Sequence, residues 1–291
     1  MMGAKVSLLQ VTKGVPTAQR FTDFKQRLED AKKKNPASKH VLAVCRKAHR
    51  DLRLNFSSLT TLRRYYTHYR NICREAVPEN LLGDCLKILN LTPDETLYLN
   101  NAYEEKVAKE HSDLRPLQNY QGMILKAQGL LGERSIYSRI LGVAFLTGRR
   151  VAEIACTAEF KPTGENTLLF DGQLKGKARV IHQYEIPTLG DPALLAKALK
   201  AIREEKPAWI DNPMLFHDCG SRELSLRVKR HFSEFIENPT VKDLRASYAE
   251  VCYKIFGVVT KAKSRYFSDI LGHGEEDNRT GQSYIDFYIK E

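Results

Sequence analysis

Apolar residues in the first ~110 positions recur three or four apart, the period of a helix with one buried face. Phe21, Phe24, Leu28 and Ala31 form one such stripe, with Lys25, Arg27 and Lys32-Lys33-Lys34 on its polar side and at its end. Asn35-Pro36 stops it, because the residue before a proline is driven out of the helical region. A second stripe, Leu59, Leu62, Tyr66, Tyr69 and Cys73, follows Ser57 and Ser58, either of which can cap it. Tyr65, Tyr66 and Tyr69 read as core and interface rings rather than base-stacking platforms. Asn80 to Lys109 predicts two more helices, broken near Thr92-Pro93-Asp94, with Thr92 as cap, Pro93 at the first position and Glu95 at the box position. The polar run His111-Ser112-Asp113-Leu114-Arg115-Pro116 then interrupts the pattern.

Beyond that break the period changes. Gln121–Leu131 and Ser135–Leu146 read as helices, the second almost wholly apolar and ending at Gly148. Leu168–Lys175 and Ala178–Pro187 are β-rich runs around Gly176, a hairpin. The fold class expected is mainly α with a small β-hairpin or sheet. Its domains are a helical N-terminal domain over 1–110, a linker over 111–118 and a second domain over 119–291. Two such domains on a basic linker can close around a duplex.

Composition narrows the function without naming it. The chain has 291 residues, 42% hydrophobic, enough for about two cores. Its longest apolar stretch, Ile140–Thr147, is far short of the roughly 20 residues of a membrane helix, so no membrane role is expected. The six cysteines are scattered and read as reduced and buried, as in a cytoplasmic protein. Forty-six Lys and Arg against 35 Asp and Glu give a formal charge of +11, which favours a polyanionic partner. Arg63, Arg70 and Arg74 fall on one face of the second predicted helix and can follow a phosphate backbone; the alternative is a solvated face.

The chemistry lies in an ordered series: Thr147-Gly148-Arg149-Arg150, Lys175-Gly176-Lys177, Lys242-Asp243-Leu244-Arg245, Leu271-Gly272-His273 and Thr280-Gly281-Gln282-Ser283-Tyr284. Together these supply guanidinium, ammonium, imidazole and phenol. Such a set suits cleavage of a phosphodiester through a covalent tyrosine intermediate, with cations to hold the charge that builds on the nonbridging oxygens. Lys242 precedes Arg245 by three residues, so both fall on one helical face and can converge on one phosphate, while Asp243 can cap that helix. Buried pairing of Arg150 with Glu153 is compatible with such a role. Tyr288 competes with Tyr284, one helical turn later. No Cys/His cluster at zinc spacing and no phosphate loop is present, so no metal, nucleotide or other cofactor is expected.

This series resembles the catalytic set of the tyrosine recombinases. The resemblance covers roughly residues 119 to 291 and implies a recombinase-type catalytic domain. It makes Arg150 the first catalytic arginine, Lys175 the hairpin lysine with Lys177 as rival, Arg245 the second arginine, His273 the histidine and Tyr284 the nucleophile. Lys242 stands where the family carries histidine, and the interval from His273 to Tyr284 is about two residues longer than usual. Both features are more similar to the hairpin telomere resolvases, or protelomerases. That narrower resemblance implies a bacterial or phage enzyme that acts as a homodimer on double-stranded DNA with a palindromic telomere junction, through a 3′-phosphotyrosyl intermediate. A conventional site-specific recombinase or integrase and an inactive DNA-binding relative are the alternatives. Only seven residues follow Tyr284, which leaves little room for an exchange arm and is expected of the core of a longer protein.

Overall fold

The computed structural model describes residues 17–34, 39–174, 183–257, 260–272 and 284–290. The chain divides into two compact units, 1–107 and 108–291, each around its own core.

The first unit is helical: α1 (Thr17–Lys34), α2 (Lys39–Asn55), α3 (Leu59–Ala76), α4 (Glu79–Ile88) and α5 (Pro93–Ser112), the last running on past the division. The α1 stripe buries Phe24, Leu28 and Ala31, and Phe24 stacks on Tyr69 of α3 at 4.2 Å. Ser58 is the α3 cap, its Oγ accepting from Thr61 N at 3.4 Å. Tyr65, Tyr66 and Tyr69 are core residues. At the start of α5, Thr92 and Glu95 exchange bonds of 3.2 and 2.9 Å, completing the expected capping box. The α2 helix has no counterpart in the sequence reading. It buries Val41, Cys45 and Leu52, a stripe diluted by eight charged or histidine residues along the same helix.

The second unit is mainly helical with two small sheets, and it begins where a linker is expected. Residues 111–118 instead contain the end of α5 and strand β1 (Arg115–Leu117). Next come α6 (Tyr120–Leu130), α7 (Ile136–Thr147), α8 (Val151–Cys156), β2 (Glu159–Gly164), β3 (Thr167–Asp171), β4 (Gln183–Pro187) and α9 (Pro192–Glu205). The chain ends with α10 (Pro213–Phe232), α11 (Val241–Phe256), α12 (Lys263–Leu271) and β5 (Phe287–Ile289). Helix α7 lies inside the core, with Ile140, Leu141, Val143, Phe145 and Leu146 all buried.

The predicted hairpin is β3 and β4, antiparallel, with β2 as a third strand on the outer side of β3. In β3, Leu168 and Phe170 face the core and alternate with partly exposed residues, as a half-buried strand requires. Strands β1 and β5 pair in parallel, Arg115 with Phe287 through Leu117 with Ile289. All six cysteines are free thiols, but Cys219 is exposed on α10 rather than buried. Among the described residues no helix is long and apolar enough to cross a membrane.

Candidate active site

Helix α7 stops at Gly148 because the next turn needs φ of 66° and because the ring of Tyr248, on α11, occupies the place of a Cβ. Tyr248 is itself locked, its hydroxyl donating to Pro187 O at 2.7 Å. The two residues after Gly148 part, one turned into the core and one at the start of α8.

Arg149 turns inward and is 1% exposed. Its Nε donates to Thr147 O at 3.1 Å, Nη2 to Ile270 O at 2.5 Å and Nη1 to the Tyr184 hydroxyl. The guanidinium lies 4.8 Å from the centre of the Phe170 ring and 5.5 Å from that of Tyr184. Arg150 caps α8. Its Nη1 donates to Glu153 Oε1 at 2.6 Å and its amide to Oε2 at 2.9 Å, so the expected pairing with a fully buried carboxylate is present. Burial works against the charge of Arg150, but Glu153 outweighs it and raises the arginine's pKa. Burial likewise opposes ionisation of Glu153, and the charges of Arg245, Arg150 and Arg149 overcome it, holding the carboxyl below its ordinary value.

Arg245 reaches the same place from α11. Its Nη1 donates to Gly148 O at 2.5 Å and Nη2 to Leu271 O at 2.6 Å. Its Nε is buried and has no hydrogen-bond partner among the described residues. Burial, reinforced by the like charges of Arg149 and Arg150, brings its pKa down to about 10. The Cζ of Arg245 lies 5.4 Å from the centre of the half-buried Tyr284 ring. Tyr284 is also within electrostatic range of Arg150. Three guanidiniums thus share one buried carboxylate, and the remaining positive charge is what an anionic phosphate would meet.

The structure brings Arg150, Arg245 and Tyr284 together and leaves Lys242 exposed beside the segment that follows Tyr284. Lys242 is exposed, with Nζ 3.7 Å from Asp286 Oδ2, while Arg245 three residues on is 5% exposed; the two share a helix but not an environment. Asp243 does cap α11, in a reciprocal box with Thr240. Tyr288 is not a helical turn from Tyr284: it lies in β5, registered with Pro116 and exposed, because Arg115–Leu117 draws this segment into an extended pairing. Lys175, Lys177 and His273 lie outside the described residues.

Three further residues of this neighbourhood escape sequence reasoning: Arg149, Gln173 and Tyr184. Arg149 fills the variable position of the Thr-Gly-x-Arg turn, which assigns it no role. The only sequence signal for Tyr184 is that it shares a face of β4 with Ile186, two residues on.

In the first unit, Arg63, Arg70 and Arg74 project from α3. Their partners are neutral: Asn100 Oδ1 at 3.4 Å for Arg63, Asn90 Oδ1 at 3.3 Å and Thr67 Oγ1 at 3.3 Å for Arg70, Asn71 Oδ1 at 2.7 Å for Arg74. Burial, with Arg74 and Arg63 close by, lowers the pKa of Arg70. The row is therefore concentrated positive charge with no carboxylate against it among the described residues.

A model of the telomere resolvase ResT/TelK catalytic domain matches residues 114–287. Among curated proteins, the protelomerase of Yersinia phage PY54 is 29% identical over 153 residues, and that of Klebsiella oxytoca phage phiKO2 is 26% identical over 170. These matches take in 47% and 52% of the chain but 25% and 26% of the relatives, so the chain spans only about a quarter of their length. Among solved structures, protelomerase TelA covalently complexed with substrate DNA superposes with a TM-score of 0.80 at 26% identity, over 96% of this chain and 90% of that one. An arginine-to-alanine variant of TelA complexed with DNA hairpin product gives 0.78 at 27% identity, over 93% and 88%. Protelomerase TelK complexed with substrate DNA, at 0.61 and 18% identity over 94% and 58%, shares the fold.

Proposed function

The chain belongs to the telomere resolvase ResT/TelK catalytic-domain family, and from that membership we propose that it cuts and rejoins DNA through Tyr284, sealing each new end into a hairpin. The observation that carries this reading is the convergence of Arg150, Arg245 and Tyr284 from three separate segments, with the Arg245 guanidinium over the tyrosine ring.

The Tyr284 oxygen attacks the scissile phosphorus, a phosphotyrosyl bond forms, and the bond to the 5′ oxygen breaks. Charge builds on the nonbridging oxygens, and the forked donors of Arg150 and Arg245 are suited to receive it. In this reading His273 adds a donor to the same oxygens, and Lys175, or Lys177 in its stead, gives the proton that the leaving 5′ oxygen needs at neutral pH. A 5′-hydroxyl of the opposite strand then attacks the same phosphorus and releases the tyrosine, which closes the hairpin. The phosphotyrosyl bond conserves the energy of the original ester. Lys242 acts from the rim, where its bond to Asp286 links α11 to the segment just after Tyr284. The row of Arg63, Arg70 and Arg74 holds the DNA backbone. Two scissile phosphates on a palindrome call for two copies of the chain. Domain roles follow: DNA binding for residues 1–110, catalysis for 119–291.

A hairpin product separates this reading from conventional strand exchange. Incubated with a palindromic telomere-junction duplex, the protein should return fragments closed at one end. After alkaline denaturation these snap back at once, because their strands remain covalently joined. Exchanged duplexes with no snap-back fraction would favour the recombinase reading.

A further inference from the structure

Three side chains from three other segments hold the carbonyls that close α12. Ile270 O accepts from Arg149 Nη2 at 2.5 Å, Leu271 O from Arg245 Nη2 at 2.6 Å and Gly272 O from Gln173 Nε2 at 2.9 Å. A helix end leaves such carbonyls without intrahelical partners, and three consecutive side-chain bonds fix the direction in which the chain departs. Arg149 and Arg245 belong to the cationic cluster. Gln173 does not: it follows β3 and precedes Lys175 by two residues.

Gln173 is held in turn by Tyr184 of β4, whose hydroxyl donates to Gln173 Oε1 at 2.9 Å and accepts from Arg149. One unbroken relay therefore runs from Arg149 through Tyr184 and Gln173 to Gly272 O. Gly272 has φ of 69°, and a Cβ there would overlap the Tyr184 hydroxyl, so the turn is seated directly on the relay. The neighbours of Gln173 are anchored to α8 and its end: Gly172 O accepts from Thr157 Oγ1, and Leu174 N donates to Glu153 Oε1 at 3.4 Å.

We propose that Gln173 and Tyr184 are positioning residues for DNA cleavage, coupling the exit of β3, two residues before Lys175 in the sequence, to the end of α12 that Arg149 and Arg245 also hold. The proposal deepens the telomere-resolvase reading and rests on it. With Gln173 changed, α12 keeps its bonds to Arg149 and Arg245 whereas the exit of β3 loses its bond to Gly272 O; with Tyr184 changed, that bond loses the hydroxyl that orients it. The defect should therefore fall on protonation of the leaving oxygen and not on phosphate binding.

Tyr184→Phe removes one hydroxyl and keeps the ring edge-on to Phe170 at 5.4 Å; Gln173→Leu removes the bonds to the Tyr184 hydroxyl and Gly272 O. Single-turnover cleavage by the full chain is measured at saturating DNA, on the inverted-repeat junction of the replicon that carries its gene. The same junction is also made with a 5′-bridging sulfur, which leaves without a proton. Both variants should bind and melt like wild type, cleave about 10²-fold more slowly on the oxygen substrate, as misplacing a reacting group by about 1 Å can cost, and recover on the sulfur substrate. Wild-type rates on oxygen, a loss that persists on sulfur, or a loss that follows a drop in melting temperature would each overturn the positioning role. Wild-type protein inert on both substrates would remove the resolvase reading itself, a failure visible before any variant is compared.

Discussion

Each unit has a buried or half-buried arginine cluster, and the two clusters are held in opposite ways. In the first, Arg53 of α2 grips both carboxylate oxygens of Glu95 on α5, one at 2.7 Å and one closer, and donates to the Tyr66 hydroxyl at 3.1 Å, which also meets His49 Nδ1 at 3.0 Å. Its charge is matched within the fold and ties three helices together. In the second, Arg149 and Arg245 are bound to backbone carbonyls, and one carboxylate, Glu153, answers for three guanidiniums. A carbonyl orients a guanidinium without neutralising it. The first arrangement stabilises a helical bundle; the second keeps cationic charge in a dry place at the expense of some stability, as expected of a site built for an anion.

The largest effects should come from breaking the second arrangement. Tyr284→Phe should abolish both cleavage and the covalent protein–DNA adduct seen on denaturing gels, with affinity nearly unchanged, since one hydroxyl adds little to a phosphate-dominated interface. Adduct that survives in Tyr284→Phe and disappears in Tyr288→Phe would move the nucleophile. Arg245→Gln should slow single-turnover cleavage by roughly 10²–10³-fold, the usual cost of one transition-state donor. The same change at Arg53 should leave the cleavage rate at saturating DNA as it is and lower the melting temperature instead. Equal catalytic losses at the two positions would erase the distinction between them.

Much of this was legible in the sequence where local chemistry decides the structure. Ser58 and Thr92 cap their helices, Gly148 ends α7, and the α1 and α3 stripes point to the core because spacing alone sets the buried face. What stayed hidden depends on partners remote in sequence. Strands β1 and β5 are three residues each, and their parallel pairing joins Arg115 to Phe287, so no local period announces it. That pairing is also why Tyr288 is extended rather than helical. Strand β2 reads as polar because it is an edge strand carrying Pro162, with only Phe160 partly covered. Arg150 and Arg245 could be placed in the site from their motifs, but the burial of Arg149 and the relay through Tyr184 and Gln173 arise only when four segments meet.

A smaller effect tests the row on α3, which stands between the two cases: its arginines are held by neutral amides and a hydroxyl, so their charge remains available, yet they are not enclosed. Changing Arg63, Arg70 or Arg74 to Gln one at a time should weaken binding to all duplexes alike and reduce the slope of log affinity against log salt by about 1 each. Loss confined to one DNA sequence would mean base reading instead. An unchanged slope would return the row to an ordinary solvated face.

The smallest expected effect concerns the neutralised pair itself. Hydrogen bonding to Arg53, with help from the Thr92 amide and against a modest burial cost, lowers the Glu95 pKa from 4.5 to about 2. A carboxylate depressed in this way stabilises the fold above its unfolded pKa, and that contribution is lost as pH falls through the folded value. The side chains are 28% and 24% exposed, so water screens the pair and its worth is on the order of 1 kcal/mol, a shift of roughly 2–4 °C for a protein of this size. Wild type should therefore melt above Glu95→Gln by a constant margin from pH 7 to pH 5, and the margin should shrink between pH 4.5 and pH 2. Gln at this position keeps an oxygen for the Thr92 amide but turns an NH2 toward one arm of the Arg53 fork, so the change removes the charge together with one of its hydrogen bonds. The catalytic cluster should respond differently. Glu153 is fully buried among three guanidiniums, so Glu153→Gln should destabilise the protein more than Glu95→Gln does at neutral pH. A Glu95 margin that is flat down to pH 2, or one larger than that of Glu153, would show that the two carboxylates do not differ as their surroundings require.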